Sequence, residues 1–166
     1  MTDQLVLVAG VGNIFLGDDG FGVAVANRID ASTLPKGVVV ADYGIRGVHL
    51  AYDLLDADYQ SLIMIDAVSL GEAPGTLAVM EVHATGPDET TREAPVVDAH
   101  SLHPEAVLAT LRSLGGSVTR VHVVGCQPAD VAEGIGLSDR VSAVLDDAVD
   151  LVCALAASEA QAVAHA

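Results

Sequence analysis

Aromatic side chains are scarce in this chain of 166 residues: they make up 3% of it, and tryptophan is absent. A core cannot be built around large rings and must be filled by Val, Leu, Ile and Ala, which the 51% hydrophobic content supplies. Basic residues are scarce too. Seven Lys and Arg stand against 23 Asp and Glu, a formal net charge of −16 that repels nucleic-acid phosphates and anionic membrane surfaces. No window reaches the roughly 18 apolar residues of a membrane span. The N-terminus lacks the basic start and cleavage site of a signal peptide, so the expected location is the cytoplasm, with neither nucleic acid nor membrane as partner. The two cysteines, Cys126 and Cys153, match no metal or disulfide spacing and read as reduced, half-buried thiols without chemistry. The H-E-x-x-H helix of common metalloproteases is also missing.

What the chain does have is a run of secondary-structure signals of one kind. The length fits a single domain, taken as residues 1–158, and the Ala-rich stretch 159–166, with no turn or packing signal, reads as a frayed tail. An apolar strand at 5–9 runs into a glycine turn and a helix over 19–29 on Phe21, Val23, Ala24, Ala26 and Ile29. A second strand, 38–41, ends at Asp42, and a helix follows on Val48, Leu50, Ala51, Leu54 and Leu55. The uninterrupted run 62–65, ending at Asp66, reads as a central strand covered on both faces.

A fourth strand, 76–82, follows Asp66 too closely for a parallel crossover and is predicted antiparallel, at an edge. The polar stretch 83–99, carrying Pro87 and Pro95, is too long for an ordinary connection and reads as a functional, mobile loop. Pro104 opens a helix through Leu114, a fifth strand covers 118–124, and Ser138 is the N-cap of a long helix through about Ala157. The order is that of a doubly wound α/β sheet with one reversed strand.

In such sheets ligands bind beyond the carboxyl ends of the parallel strands, where the strand order switches. Asp18 and Asp19 follow the first strand by a short turn, Asp42 ends the second, and Asp66 ends the third. If the first and third strands are neighbours, Asp19 and Asp66 face one crevice. Acids at a helix start also cap it, and for one of Asp18 and Asp19 that bland reading is the better one. His100, just before the Pro104 helix, is the histidine best placed to join them, whereas His103 beside Pro104 reads as a cap or surface residue. Two carboxylates and an imidazole suit a divalent first-row metal such as Zn, Ni or Fe.

A nucleotide fold is the leading decoy, because Gly10-Val11-Gly12 follows a strand and Asp42 ends the next one. The third glycine of G-x-G-x-x-G is missing, since position 15 is Phe, and the acids at 18 and 19 would repel a pyrophosphate.

The loop Gly10-Val11-Gly12-Asn13-Ile14-Phe15-Leu16-Gly17-Asp18-Asp19-Gly20 resembles that of the hydrogenase maturation endopeptidases. These trim the C-terminal extension from the large-subunit precursor of nickel-iron hydrogenases. Further matches are Asp42-Tyr43-Gly44-Ile45-Arg46-Gly47, Ile65-Asp66-Ala67, Pro74-Gly75-Thr76, Ala99-His100-Ser101-Leu102 and Val124-Gly125-Cys126-Gln127-Pro128, so the likeness covers most of the chain.

The resemblance implies a three-layer α/β/α sandwich whose five-stranded, mostly parallel sheet has its fourth strand antiparallel. It implies that Asp19, Asp66 and His100 are at once the metal ligands and the catalytic residues. The family's first-loop ligand is often glutamate, against Asp at 19, and Tyr-Gly-Ile-Arg replaces the small residues and Thr that many members carry in the second loop. It also implies an aspartyl-type endopeptidase acting on the precursor, with nickel supplied by the substrate and no organic cofactor. No Ser or Cys is placed as an obvious nucleophile, so hydrolysis without an acyl-enzyme is expected. The competing readings are a non-catalytic metal-sensing assembly factor and a nucleotide-binding module.

Overall fold

The computed structural model describes residues 5–82 and 104–165. Five strands, β1 (Val6–Val11), β2 (Val38–Gly44), β3 (Ser61–Ala67), β4 (Leu77–Val82) and β5 (Arg120–Cys126), form one sheet in the order β2-β1-β3-β5-β4. β1, β2, β3 and β5 are parallel, and β4 runs antiparallel at the edge, paired only to β5. The short connection after Asp66 leaves the chain no other way back to the sheet. The helices are α1 (Phe21–Arg28), α2 (Gly47–Asp56), α3 (Pro104–Ser113), α4 (Asp139–Ser142) and α5 (Leu145–Ala164).

Alternation along β1 divides the core between two faces. Leu7, Ala9 and Val11, with Leu62 and Met64 of β3, pack against Leu50 and Leu54 of α2 and Val107, Leu108 and Leu111 of α3. Val6 and Val8, with Ile63 and Ile65, pack against Phe21 and Val25 of α1 and Val152 and Ala156 of α5. Helices thus cover both faces of the sheet, which makes the three layers. Among the described residues no helix is long and apolar enough to cross a membrane.

The chain passes from β1 to β2 on one side and returns to β3 on the other, so the switch in strand order falls between β1 and β3, in register at Gly10 and Ile65. On the other flank of β1 the register with β2 slips after Gly10–Asp42, so that Val11 faces Gly44 and Tyr43 is the extra residue. Tyr43 is buried, and its hydroxyl donates to Asp53 Oδ2 at 2.7 Å.

Three expectations change. The first helix is preceded by a 3-10 turn, Gly17–Gly20, and begins at Phe21 rather than Asp19. The long helix expected from Ser138 is two helices, broken at Ala143 and Val144. Its hydrophobic repeat runs straight through the break, with Val141, Leu145, Ala148, Val152 and Ala156 all buried, so periodicity does not reveal it. The expected frayed tail from 159 is helical up to Ala164: α5 continues that far, with Glu159 and Ala160 buried. Alanine favours the helix, and Glu159 holds it to the sheet by accepting from Ser61 Oγ at 3.1 Å and Arg120 Nε at 2.7 Å.

Candidate active site

The site begins with two glycines whose missing side chains let α1 lie directly on the sheet. A Cβ at Gly10 would meet Gly22 O at 2.4 Å, and one at Gly22 would meet Ile65 O at 1.9 Å and Val11 O at 2.4 Å. Only hydrogen fits at either place. Gly10 therefore serves helix–sheet packing, the part that the nucleotide reading had given to a phosphate.

Gly12 turns the chain at φ +134°, and a Cβ there would stand 1.9 Å from Asp19 O and 3.7 Å from Asp66 Oδ1. The backbone of the first loop thus closes tightly on itself beside Asp66. Asn13 shapes the rest: its N–H donates to Asp19 Oδ2 at 2.7 Å, while its own Oδ1 accepts from Phe15 N at 2.9 Å. This is an Asx turn, formed because a short amide can mimic the backbone. The Gly-Asn pair in the sequence was the signal for it.

Asp66, the penultimate residue of β3, stands across from Asp19 on the neighbouring strand's loop. Its pKa is raised well above the ordinary carboxylate value, first by burial and then by the charge of Asp19, against a lowering hydrogen bond from Ala67 N–H. Two carboxylates that raise one another's cost of ionisation are relieved by a cation between them. His100 lies outside the described residues. Among the described residues no three His, Cys, Asp or Glu side chains form a metal-holding group.

Asp18 has a different task, one the sequence left open between cap and ligand. It is buried, and its carboxylate accepts from Ala129 N at 2.8 Å, Asp130 N at 3.1 Å, Ser138 N at 2.7 Å and Ser138 Oγ at 2.8 Å. Burial alone would push its pKa up, but the bonds from Ser138, Ala129 and Asp130 carry it below the ordinary 3.8. The loop after β5 is thereby fastened to the first loop, and Ser138, through its hydroxyl, also caps α4 at Val141 N as expected. Gln127 Oε1 holds the loop after β3 by accepting from Leu70 N at 2.5 Å.

Neither cysteine is a candidate nucleophile. Burial, then the charge of Asp18, pushes the Cys126 thiol up to about 11, and burial also raises Cys153.

Comparison with known proteins places the chain in a family. The HycI family model, described as hydrogenase maturation protease, matches residues 23–155. The chain is 33% identical over 151 residues to the hydrogenase 2 maturation protease of Escherichia coli, covering 90% of this chain and 88% of that one. Among solved structures it resembles the hydrogenase-maturating endopeptidase HybD of E. coli, with a TM-score of 0.69, 30% identity and 91% of each chain covered. A hydrogenase 2 maturation peptidase from a Thaumarchaeota archaeon aligns with a TM-score of 0.68 and 35% identity, over 91% of this chain and 97% of that one. The chain thus belongs to the hydrogenase maturation protease family and is a peptide-bond hydrolase.

Proposed function

We propose that this chain removes the C-terminal extension of a nickel-iron hydrogenase large-subunit precursor once nickel has been inserted, acting in the cytoplasm. The observation that carries the reading is the pair Asp19 and Asp66, facing one another at the strand-order switch of a family member. The nickel belongs to the substrate, and no organic cofactor takes part. Asp19 and Asp66, with His100, bind the metal-bearing end of the precursor and so set the scissile peptide beside the crevice.

The N–H of Asn13, donating to Asp19 Oδ2 at 2.7 Å, fixes this carboxylate in the first loop. Asp66 holds its proton more tightly than a free aspartate does, until a cation faces it. Substrate-borne nickel supplies Lewis-acid polarisation of the carbonyl or activation of a water. Cleavage proceeds by direct hydrolysis of the peptide, without an acyl-enzyme.

The test is the mass of the large subunit's C-terminus in cells carrying Asp19→Ala, Asp66→Ala or His100→Ala. Each variant is expected to leave the extension in place. Normal trimming in all three overturns the proposal, and stable binding of the precursor with no cleavage at any nickel load shifts it to a non-catalytic assembly factor.

A further inference from the structure

Nine large apolar side chains are exposed among the described residues, and six of them lie at one end of the molecule. Ile14 and Phe15 sit on the β1–α1 loop, Ile45 and Val48 where β2 passes into α2, and Val131 and Ile135 on the loop after β5. Ile45 is 64% exposed and Ile135 80%. Single exposed apolar residues need no explanation, whereas a contiguous group marks an interaction surface.

Main-chain bonds make these three loops contiguous. Gly12 N–H donates to Gly44 O at 2.9 Å, joining the first loop to the second. Gly17 N–H donates to Gly134 O and Gly134 N–H to Phe15 O, each at 2.9 Å, joining the first to the third. With Asp18 fastening the third loop as well, the apolar residues occupy one rim along the carboxyl edge, beside Asp19 and Asp66.

The charge of the rim narrows what can cover it. Residues 12–20, 44–47 and 127–138 contain a single Lys or Arg, Arg46. Its guanidinium is turned to the chain's own backbone, donating to Asp42 O at 2.6 Å and Tyr43 O at 3.2 Å. Asp130 and Glu133 are exposed on the third loop. A second copy of this chain would bring a further net −16 and the same acidic rim, and an anionic membrane would be repelled likewise. A polypeptide segment that is apolar and carries cations is complementary on both counts.

We infer that the three-loop rim is the docking surface for the protein substrate, which it grips through an apolar segment flanked by Lys or Arg, the cation lying against Glu133 and Asp130. The inference rests on the proposed function and adds to it the chemistry of the recognised segment.

The test uses the full chain and a large-subunit precursor from the same genome, prepared nickel-free for binding and nickel-loaded for cleavage. Ile45→Ser combined with Ile135→Ser is expected to raise Kd for the nickel-free precursor and KM for the loaded one by at least about fivefold, with kcat within about twofold. Glu133→Lys is expected to raise Kd similarly, and raising salt from about 0.05 to about 0.5 M to weaken binding of the parent protein. Leu114→Ser, exposed outside the three loops, should change neither constant.

Unchanged Kd and KM in the rim variants overturn the inference, as does a parent that binds neither form of the precursor. Dimerisation of the parent that is lost in the double variant also overturns it, in favour of a second copy. Rim-dependent binding without cleavage leaves the docking surface standing and removes the protease reading, so the two fail separately.

Discussion

Ser138 gives the carboxylate of Asp18 two hydrogen bonds, one from its N–H at 2.7 Å and one from its hydroxyl at 2.8 Å. With the two from Ala129 and Asp130, they turn an acid beside the site into the fastening of a neighbouring loop. Asp18→Ala would leave three N–H groups and a hydroxyl without their acceptor. It is expected to cost about 2–4 kcal/mol in denaturant unfolding. Hydrogen exchange should quicken at Ala129, Asp130 and Ser138, and unchanged protection there would show the loop to be held by other means.

Asp66→Asn is expected to abolish cleavage, by at least about 100-fold, and yet to stabilise the fold. The sign follows from the raised pKa. Because Asp66 binds its proton more tightly folded than unfolded, its ionisation opposes folding as pH rises past 3.8. The gain of the amide variant should be absent at lower pH and grow above that value. Thermal melts of both proteins across pH 3 to 8 would read it, and a variant less stable than the parent at neutral pH would contradict the repulsion.

Gly22→Ala is expected to cost about 3 kcal/mol or more, since its Cβ would enter Ile65 O and Val11 O. Gly71→Ala serves as the comparison. Its added carbon meets nothing within 4 Å, so only the backbone strain of φ +70° remains. Equal midpoints for the two variants in urea would mean that α1 can move off the sheet freely.

Glu159 should govern part of the acid limb of stability. Burial favours its neutral form, but hydrogen bonds from Arg120, the charge of His122 and the Ser61 hydroxyl hold its pKa below the ordinary 4.5. The stabilisation is present above pH 4.5 and is lost as pH falls below it through the folded value. Glu159→Gln is expected to cost about 2–3 kcal/mol at pH 7 and to flatten the fall of melting temperature with acid. An acid limb as steep as the parent's would refute it.

The sheet was readable because its strands carry their own signals. The apolar runs ending at Asp42 and Asp66 mark parallel strands, a half-buried edge strand and a buried central one, and the short span between Asp66 and Thr76 dictates the reversal of β4. The facing of Asp19 and Asp66 was legible only on the condition that β1 and β3 are neighbours, which the sheet order supplies. What stayed hidden depended on partners distant in sequence. Glu159 is an ordinary surface acid until Ser61 and Arg120 are brought beneath α5, and Asp18 is an ordinary helix-start acid until the loop after β5 folds over it. The break before Leu145 was masked because the apolar repeat keeps its phase across it. Gly10 and Gly12 looked like a phosphate loop because close packing and anion binding ask the same thing of a backbone, that a side chain be missing.

That missing side chain has a consequence for how the site ages in evolution. Where α1 meets β1 and β3 at Gly10 and Gly22, main chain rests on main chain, with no rotamer between them to absorb a shift. The distance between the first loop and the end of β3 is therefore a ruler cut in backbone. Substitutions in the Val, Leu and Ile layers can swell or shrink the core elsewhere while the two jaws of the crevice keep their gauge. A lineage can thus re-tailor its exposed rim to a new partner without re-spacing the acids that face it.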